Sequence, residues 1–316
     1  MTYTPAQTLP LQAVGRDGQL VSRIALGCMG LSRTRNPAAI TQEHRRAAIR
    51  AFEAALEAGI TLFDHADIYG GGGSEEIFRD CLAAVPDARR RIVIATKGGI
   101  RSGYYDLSAH YITGCVAQSL ARMGIEHIDL YQLHRPDPFT HPGETAGALN
   151  DLLRRGLIRS VGVSNYYPEQ VRALQHYLDT PLRSNQIEIS LLRLDPLYEG
   201  FDGGDGTLDQ CITMGMTPLA WSPLGGGGIL SGTRLGADPS RVERVRAALA
   251  EVAPSYGATS AQMALAWLLA HPAGILPLVG STSPEHIREA AGAARLQITR
   301  EDWYRLWVAA RGAPVP

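Results

Sequence analysis

Strand-like and helix-like segments alternate along nearly the whole chain, and no other feature limits its fold so strongly. Eight short apolar runs, at residues 24–27, 61–64, 92–96, 128–133, 160–163, 184–189, 218–221 and 276–279, are each followed by helical pattern. Amphipathic spacing over 41–58 stops at Gly59, and Ser-Glu-Glu from Ser74 opens the next helix well. Residues 108–123 read as a helix with Ser108 as its N-cap, and another helix lies within 143–155. Pro168 and Pro284 suit the first turns of two more. Successive βα units wind into one parallel sheet. Pro and Gly cluster only in short connections, so no stretch resembles an interdomain linker. The 316 residues are therefore read as one (β/α)8 TIM barrel over 1–316, rather than two doubly wound domains. The residues before Ile24 predict a β-hairpin turning at GRDG beneath the barrel, and 300–310 an extra C-terminal helix outside it.

Charge and cysteine content narrow the function by exclusion. A formal net charge of -1 offers no electrostatic case for nucleic acid or a membrane surface. No apolar run reaches the roughly 18 residues of a membrane span. The opening MTYTPAQTLPLQAVGRDG has neither a basic n-region nor an apolar h-region, so a cytoplasmic protein is expected. Cys28, Cys81, Cys115 and Cys211 lack C-x-x-C spacing and read as reduced, mostly buried thiols. The histidines show no H-E-x-x-H spacing, and no metal site is expected.

Chemistry gathers at the ends of three consecutive strand runs. The segment DHADIYGGGGSE carries Asp64 and Tyr69, IVIATK ends on Lys97, and IDLYQLH ends on His134. A parallel barrel presents such residues on one common face. A phenol, with an unperturbed pKa near ~10, is a poor acid at neutral pH unless its anion is favoured. Lys97 would favour it and lower the phenol's pKa, while Asp64 holds the ammonium charged and oriented. His134 would hydrogen-bond the same substrate oxygen and help relay the proton. A carbonyl so polarised accepts hydride from a reduced nicotinamide. Taken singly, each residue has an ordinary structural explanation: a packed Tyr, a solvated Lys, a satisfied His, a carboxylate in a turn. Four in order at one end of consecutive strands are much harder to explain that way. Two other functions stay open on these residues. One is a Schiff-base aldolase or lyase with Lys97 as nucleophile; the other is a slow-turnover regulatory subunit that holds nucleotide.

The stretches LFDHADIYGGGGSEE, IATKGG, LHRPD, GVSN and SNQIE resemble successive signatures of the aldo-keto reductase superfamily, in a bacterial branch near the potassium-channel β-subunit-like group. The resemblance runs from IALGCMG to LVGSTSPEHIREA, nearly the whole chain. It implies reduction of aldehydes or ketones to alcohols with NADP(H), NAD(H) remaining open, on a barrel without a Rossmann domain. Asp64, Tyr69, Lys97 and His134 would then be the catalytic set, with Tyr69 as general acid.

The same resemblance implies the cofactor's contacts. Gly27, Cys28 and Met29 would lie beside it, and Ser164, Asn165 and Gln186 would grip the nicotinamide carboxamide with amide and hydroxyl groups. Trp221 would stack on the nicotinamide ring. The loop from Ser222 to Gly228, with Pro223, Leu224, Gly225 and Gly226 beside the cofactor, would offer its non-proline backbone N–H groups to the pyrophosphate, with Arg234 nearby. Gly280, Ser281, Ser283, His286 and Glu289 would hold the adenosine phosphate, Ser283 opening a helix and Glu289 facing the adenine amino group. This chain departs from the commoner pattern at several positions. Gly280 stands where many members have Lys, His286 where many have Arg or Gln, and Ala290 where Asn is usual. Arg288 or Arg234 would be the substitute cation. Met29 replaces a pocket-walling Trp, and His65 replaces a small hydroxyl residue, which places it near Asp64 or in the packing around it. The substrate wall is expected from residues around Met29 and from 100–105, 135–139 and 192–202, with Tyr104, Tyr105 and Phe139 as an aromatic rim. Its partners are thus small carbonyl compounds and their alcohols; substrate identity and oligomeric state are not written in these motifs.

Overall fold

The computed structural model describes residues 8–197, 204–234 and 236–315. The chain enters through an antiparallel hairpin, β1 (Leu11–Ala13) and β2 (Leu20–Ser22), around Gly15 and Gly18. The barrel begins with β3 (Ala25–Gly27), β4 (Leu62–Asp64) and β5 (Val93–Gly98). A two-stranded ribbon, β6 (Ile100–Arg101) and β7 (Tyr104–Tyr105), interrupts it. Then β8 (Leu130–Leu133), β9 (Val161–Ser164), β10 (Ser184–Glu188), β11 (Thr217–Trp221) and β12 (Leu276–Val279) complete eight parallel strands, and β12 pairs back onto β3. This is the (β/α)8 barrel expected from the alternation.

Two-residue periodicity sorts each strand into an inward and an outward face. Inward positions low in the barrel are apolar: Leu62, Val93, Ala95, Leu130, Leu219 and Leu276 form one cluster with Val14 and Val21 of the hairpin. The same inward faces end in Asp64, Lys97, His134, Gln186 and Trp221 at the upper rim. The hairpin closes the opposite end. Gly15 N donates 2.8 Å to Thr217 Oγ1, and Ser22 N donates 2.8 Å to Thr61 Oγ1, both at strand starts. Solvent access to the interior is therefore from the top.

Outside the sheet run α1 (Gln42–Glu57), α2 (Gly73–Ala84), α3 (Ala109–Met123), α4 (Pro142–Arg154), α5 (Pro168–Gln175) and α6 (Thr207–Met214). After β11 follow a short α7 (Gly228–Ser231), α8 (Pro239–Val252) and α9 (Ser260–Leu269), and β12 leads to α10 (Pro284–Gly292) and α11 (Arg300–Arg311). Thr41 caps α1 by accepting from His44 N, and Ser108 caps α3 by accepting from Tyr111 N. The inner face of α1 buries Ala51, Phe52 and Ala55, and Phe52 meets Phe63 and Phe78 at 5.0 and 5.3 Å between ring centroids. Each such ring contributes roughly 1.5–3 kcal/mol by burial.

Local departures from the expected boundaries have physical causes. β5 continues to Gly98, two residues past 92–96, because Lys97 and Gly98 pair with Gln132 and Leu133. The run at 128–133 narrows because Ile128 makes only an isolated bridge to Ile158. Residues 100–105, expected as loop, form β6 and β7 with the Arg101 guanidinium 5.3 Å from the Tyr104 ring and 4.7 Å from that of Tyr111. α8 and α9, not singled out in the sequence, carry α11 through stacked indoles: Trp267 and Trp303 lie 5.2 Å apart, each donating its N–H to the other's carbonyl. No helix among the described residues is long and apolar enough to cross a membrane.

Candidate active site

The register of the barrel brings three strand ends together. Lys97 Nζ donates 2.6 Å to Asp64 Oδ2 and 2.7 Å to the carbonyl oxygen of His65. Both members of this ion pair are almost fully buried. The Lys97 ammonium lies 5.0 Å from the centre of the Tyr69 ring, and His134 stands edge-on to that ring at 6.0 Å and 84°. The other oxygen of Asp64 is also engaged. Its Oδ1 accepts 3.1 Å from Gln132 Nε2 and 2.9 Å from Gln186 Nε2. One carboxylate thereby joins β4 to β5, β8 and β10.

Burial opposes the charge of Lys97, but Asp64 and Tyr69 outweigh it and hold the ammonium above its ordinary pKa. An amine nucleophile must be neutral, and the ion pair with Asp64 disfavours the free amine that a Schiff-base aldolase would need. Tyr69 corrects a second expectation. Burial pushes its phenol above the ordinary value, and Lys97 pulls downward without prevailing because Asp64 beside it raises the phenol in turn. The proton therefore stays on Tyr69 at neutral pH, as a donor requires. His134 is driven down to about 2 by burial and by the charges of Lys97 and Arg135. Its imidazole is neutral and its Nδ1 is buried with no partner among the described residues.

Tyr69 is presented by a tight turn, Tyr69–Gly72, followed directly by α2. Gly70 has φ 60°, and a Cβ there would fall 2.2 Å from Ser32 Oγ and 2.9 Å from the Thr34 carbonyl oxygen. Only glycine satisfies both the left-handed backbone and the close approach. Ahead of the turn, His65 N and Asp67 N donate 2.8 and 2.9 Å to Ala95 O and Lys97 O, extending the β4 ladder. Arg122 ties the segment from outside, donating 3.0 Å to Asp67 O and 3.2 Å to the buried Glu75. His65 joins the site through its backbone carbonyl. Its ring packs 4.3 Å from Phe78, and burial followed by the Lys97 charge lowers it to about 3.

Above these groups opens a cleft of about 600 Å³, a size suited to a small-molecule ligand. Of the expected cofactor contacts, Gly27, Met29, Ser164, Asn165, Gln186, Trp221, Ser222, Pro223, Leu224, Gly226, Gly280, Ser281, His286 and Glu289 lie on its wall, with Asp64, Tyr69, His134 and Arg135. Cys28 and Gly225 are buried behind it, Ser283 stands at the N-terminus of α10 without a side-chain capping bond, and Arg234 is turned to Glu188. Trp221 Nε1 donates 3.0 Å to Asn165 Oδ1, Asn165 Nδ2 donates 2.7 Å to Ser164 Oγ, and Ser164 Oγ donates 3.0 Å to Gln186 O. Asn165 and Ser222 sit at φ 60° and 49°, left-handed positions that cost non-glycine residues about 1–3 kcal/mol and gather at functional sites. At Gly226 a Cβ would meet nothing within 4 Å, so its backbone is open to the cleft.

The far end of the cleft lies where β12 meets α10. Ser281 Oγ and His286 Nδ1 stand 3.5 Å apart, and Glu289 is held by Thr259 Oγ1 at 2.7 Å. No Lys or Arg lines that end among the described residues. Neither proposed substitute cation is free: Arg288 donates 2.9 Å to Glu57, and Arg234 pairs with Glu188. On the substrate side, Tyr104, Tyr105 and Phe139 are exposed but do not line the cleft. Residues 198–202 of the expected wall lie outside the described residues. Gln132, absent from the expected set, carried one signal: it alternates with Leu130 and His134 on the inward face of an otherwise apolar run.

Comparison with known proteins agrees with this geometry. The Aldo/keto reductase family profile matches residues 23–309. A "6-dehydroglucose reductase" of Novosphingobium aromaticivorans is 42% identical over 311 residues, covering 96% of each chain. "Oxidoreductase YdhF" of Escherichia coli is 37% identical over 270 residues, covering 83% of this chain and 86% of its own. Among solved structures, the thermostable aldo-keto reductase Tm1743, crystallised with the inhibitor epalrestat, superposes with a TM-score of 0.81 at 26% identity, covering 95% of this chain and 100% of its own. An aldo/keto reductase of Klebsiella pneumoniae in complex with NADP and acetate gives 0.75 at 25%, covering 93% of each.

Proposed function

Because this chain belongs to the aldo/keto reductase family, we propose that it is an NADP(H)-dependent reductase of aldehydes or ketones in which Tyr69 donates the proton. One observation carries the reading: a buried Lys97–Asp64 pair beneath a protonated phenol, with a neutral imidazole at its edge. The cleft's donor set suits a nicotinamide dinucleotide. Ser164 and Asn165 offer hydroxyl and amide groups beside the Trp221 ring, and the left-handed Gly226 exposes backbone where a phosphate could approach. NADPH, when bound, supplies the hydride.

The protein's own residues do the rest. Neutral His134 orients the carbonyl oxygen without competing for charge. As electron density builds on that oxygen it becomes a far stronger base than a phenolate, and Tyr69 gives up its proton. Lys97 then stabilises the phenolate that remains, an interaction stronger after transfer than before. In the alcohol-oxidising direction the same groups take the proton back. Relatives named 6-dehydroglucose reductase put aldehydes on hydroxylated carbon chains, neutral and acidic, among the compounds to assay. Four unpaired, buried thiols are in keeping with a reducing compartment.

Tyr69→Phe tests the assignment. It should lower kcat by about 10²–10⁴-fold, with NADPH binding, followed by protein fluorescence, close to that of the parent. Full kcat in that variant would remove Tyr69 as the acid. A parent protein that binds NADPH but reduces no carbonyl compound would favour the regulatory subunit instead.

A further inference from the structure

The mouth of the cleft holds a charge that the reaction above does not use. Arg135 follows His134 directly, lines the cleft and is half-buried. Four of the other half-buried arginines have a carboxylate: Arg45 has Asp80, Arg89 has Asp129, Arg122 has Glu75 and Arg234 has Glu188. Arg135 has no hydrogen-bond or ion-pair partner among the described residues. Its guanidinium is close enough to help hold the His134 imidazole neutral. The remaining charges on the cleft wall do not neutralise it. Asp64 is spent on Lys97 and two amides, and Glu289 is fixed by Thr259 at the opposite end. The reacting end of the cleft thus carries one uncompensated positive charge beside the group that orients the carbonyl.

We propose that Arg135 anchors a carboxylate on the carbonyl substrate, so that the preferred substrates are aldehyde or keto acids rather than uncharged carbonyls. A guanidinium fork matches the two oxygens of one carboxylate. A phosphate dianion calls for more cationic partners, and the wall offers no Lys or second Arg among the described residues. His134 and Arg135 line the same cleft, so the carboxylate would lie within it on the same molecule as the reacting carbon. Arg135 is a specificity-determining residue in this reading, which rests on the reductase function proposed above.

The test compares matched aldehydes with and without the acid, succinic semialdehyde against butanal and 4-carboxybenzaldehyde against benzaldehyde, with NADPH. The parent should favour the acids in kcat/KM by about 10- to 100-fold, mainly through KM, the scale of a hydrogen-bonded charge pair. Arg135→Met should bring the ratio close to one, and Arg135→Lys should leave part of it because an ammonium keeps the charge but not the fork. Circular dichroism checks that both variants are folded. A parent ratio near one, or a ratio that survives in Arg135→Met, overturns the proposal. If the parent reduces neither member of either pair but reduces other aldehydes, this inference falls and the reductase reading stands; if it reduces no carbonyl compound at all, both fall.

Discussion

At the scale of single residues, the site works because Asp64 and Lys97 are fully partnered before any substrate arrives. Asp64 spends one oxygen on Lys97 and the other on two amides, so the ammonium cannot wander from beneath Tyr69. Gln132→Leu removes one amide and leaves Asp64 Oδ1 with Gln186 alone. It should lower kcat by about tenfold and cost about 1–3 kcal/mol of stability, measured by steady-state kinetics and urea unfolding; unchanged kcat would make Gln132 a packing residue only. Asp64, Tyr69, Lys97 and His134 were legible in the sequence because each stands at or just past the end of an apolar run. Gln132 was not, because its partner is 68 positions away and meets it only when the sheet closes. Nor was the direction of the Tyr69 shift, a contest between burial and two opposite charges at fixed distances. The pairing of Arg288 with Glu57 and of Arg234 with Glu188 is likewise a matter of side-chain direction that spacing does not contain.

At the scale of elements, two glycine-rich turns look alike in sequence and differ in what surrounds them. The turn after β4 is wedged: Gly70 faces Ser32 and the Thr34 backbone. The turn after β11 is open: Gly226, at φ 63°, faces nothing within 4 Å. Gly226→Ala should therefore cost only the left-handed backbone, about 1–2 kcal/mol. Gly70→Ala meets that term and a collision with fixed backbone, and should cost clearly more, roughly 3 kcal/mol or above. Urea midpoints of the two variants decide it, and equal losses would refute the wedge. The helices that sequence periodicity placed, α1, α3 and α10 among them, start at caps or prolines that announce themselves. The ribbon of β6 and β7 did not, since it is held by Arg101 lying over two tyrosines rather than by a strand-like run.

At the scale of the whole molecule, burying imidazoles beside a fixed cation sets an acid limit. His65 and His134 fall from 6.5 to about 3 and about 2, chiefly through burial, so the folded protein keeps both neutral. Below 6.5 the unfolded chain takes up two protons that the fold refuses, and stability falls with pH by up to about 2.7 kcal/mol per unit. Asp67 acts in the opposite sense. Burial raises it from 3.8 to about 6, so between those values the fold binds a proton that the unfolded chain releases. The net loss should build up below 6.5, run at roughly 1.4 kcal/mol per unit while Asp67 offsets one histidine, and steepen somewhat below about 4 as that offset fades. Urea unfolding across that range, with His65→Phe removing most of the net slope between about 6 and 4, measures it; a flat profile in the parent would mean the histidines charge without unfolding. The closed barrel gives the Asp64 carboxylate a second consequence. A group that collects donors from β5, β8 and β10 acts as a sensor of closure as well as a catalytic part. A seam that parts among those strands strips Asp64 of a donor at once, so turnover reports the integrity of the sheet sooner than helix content does.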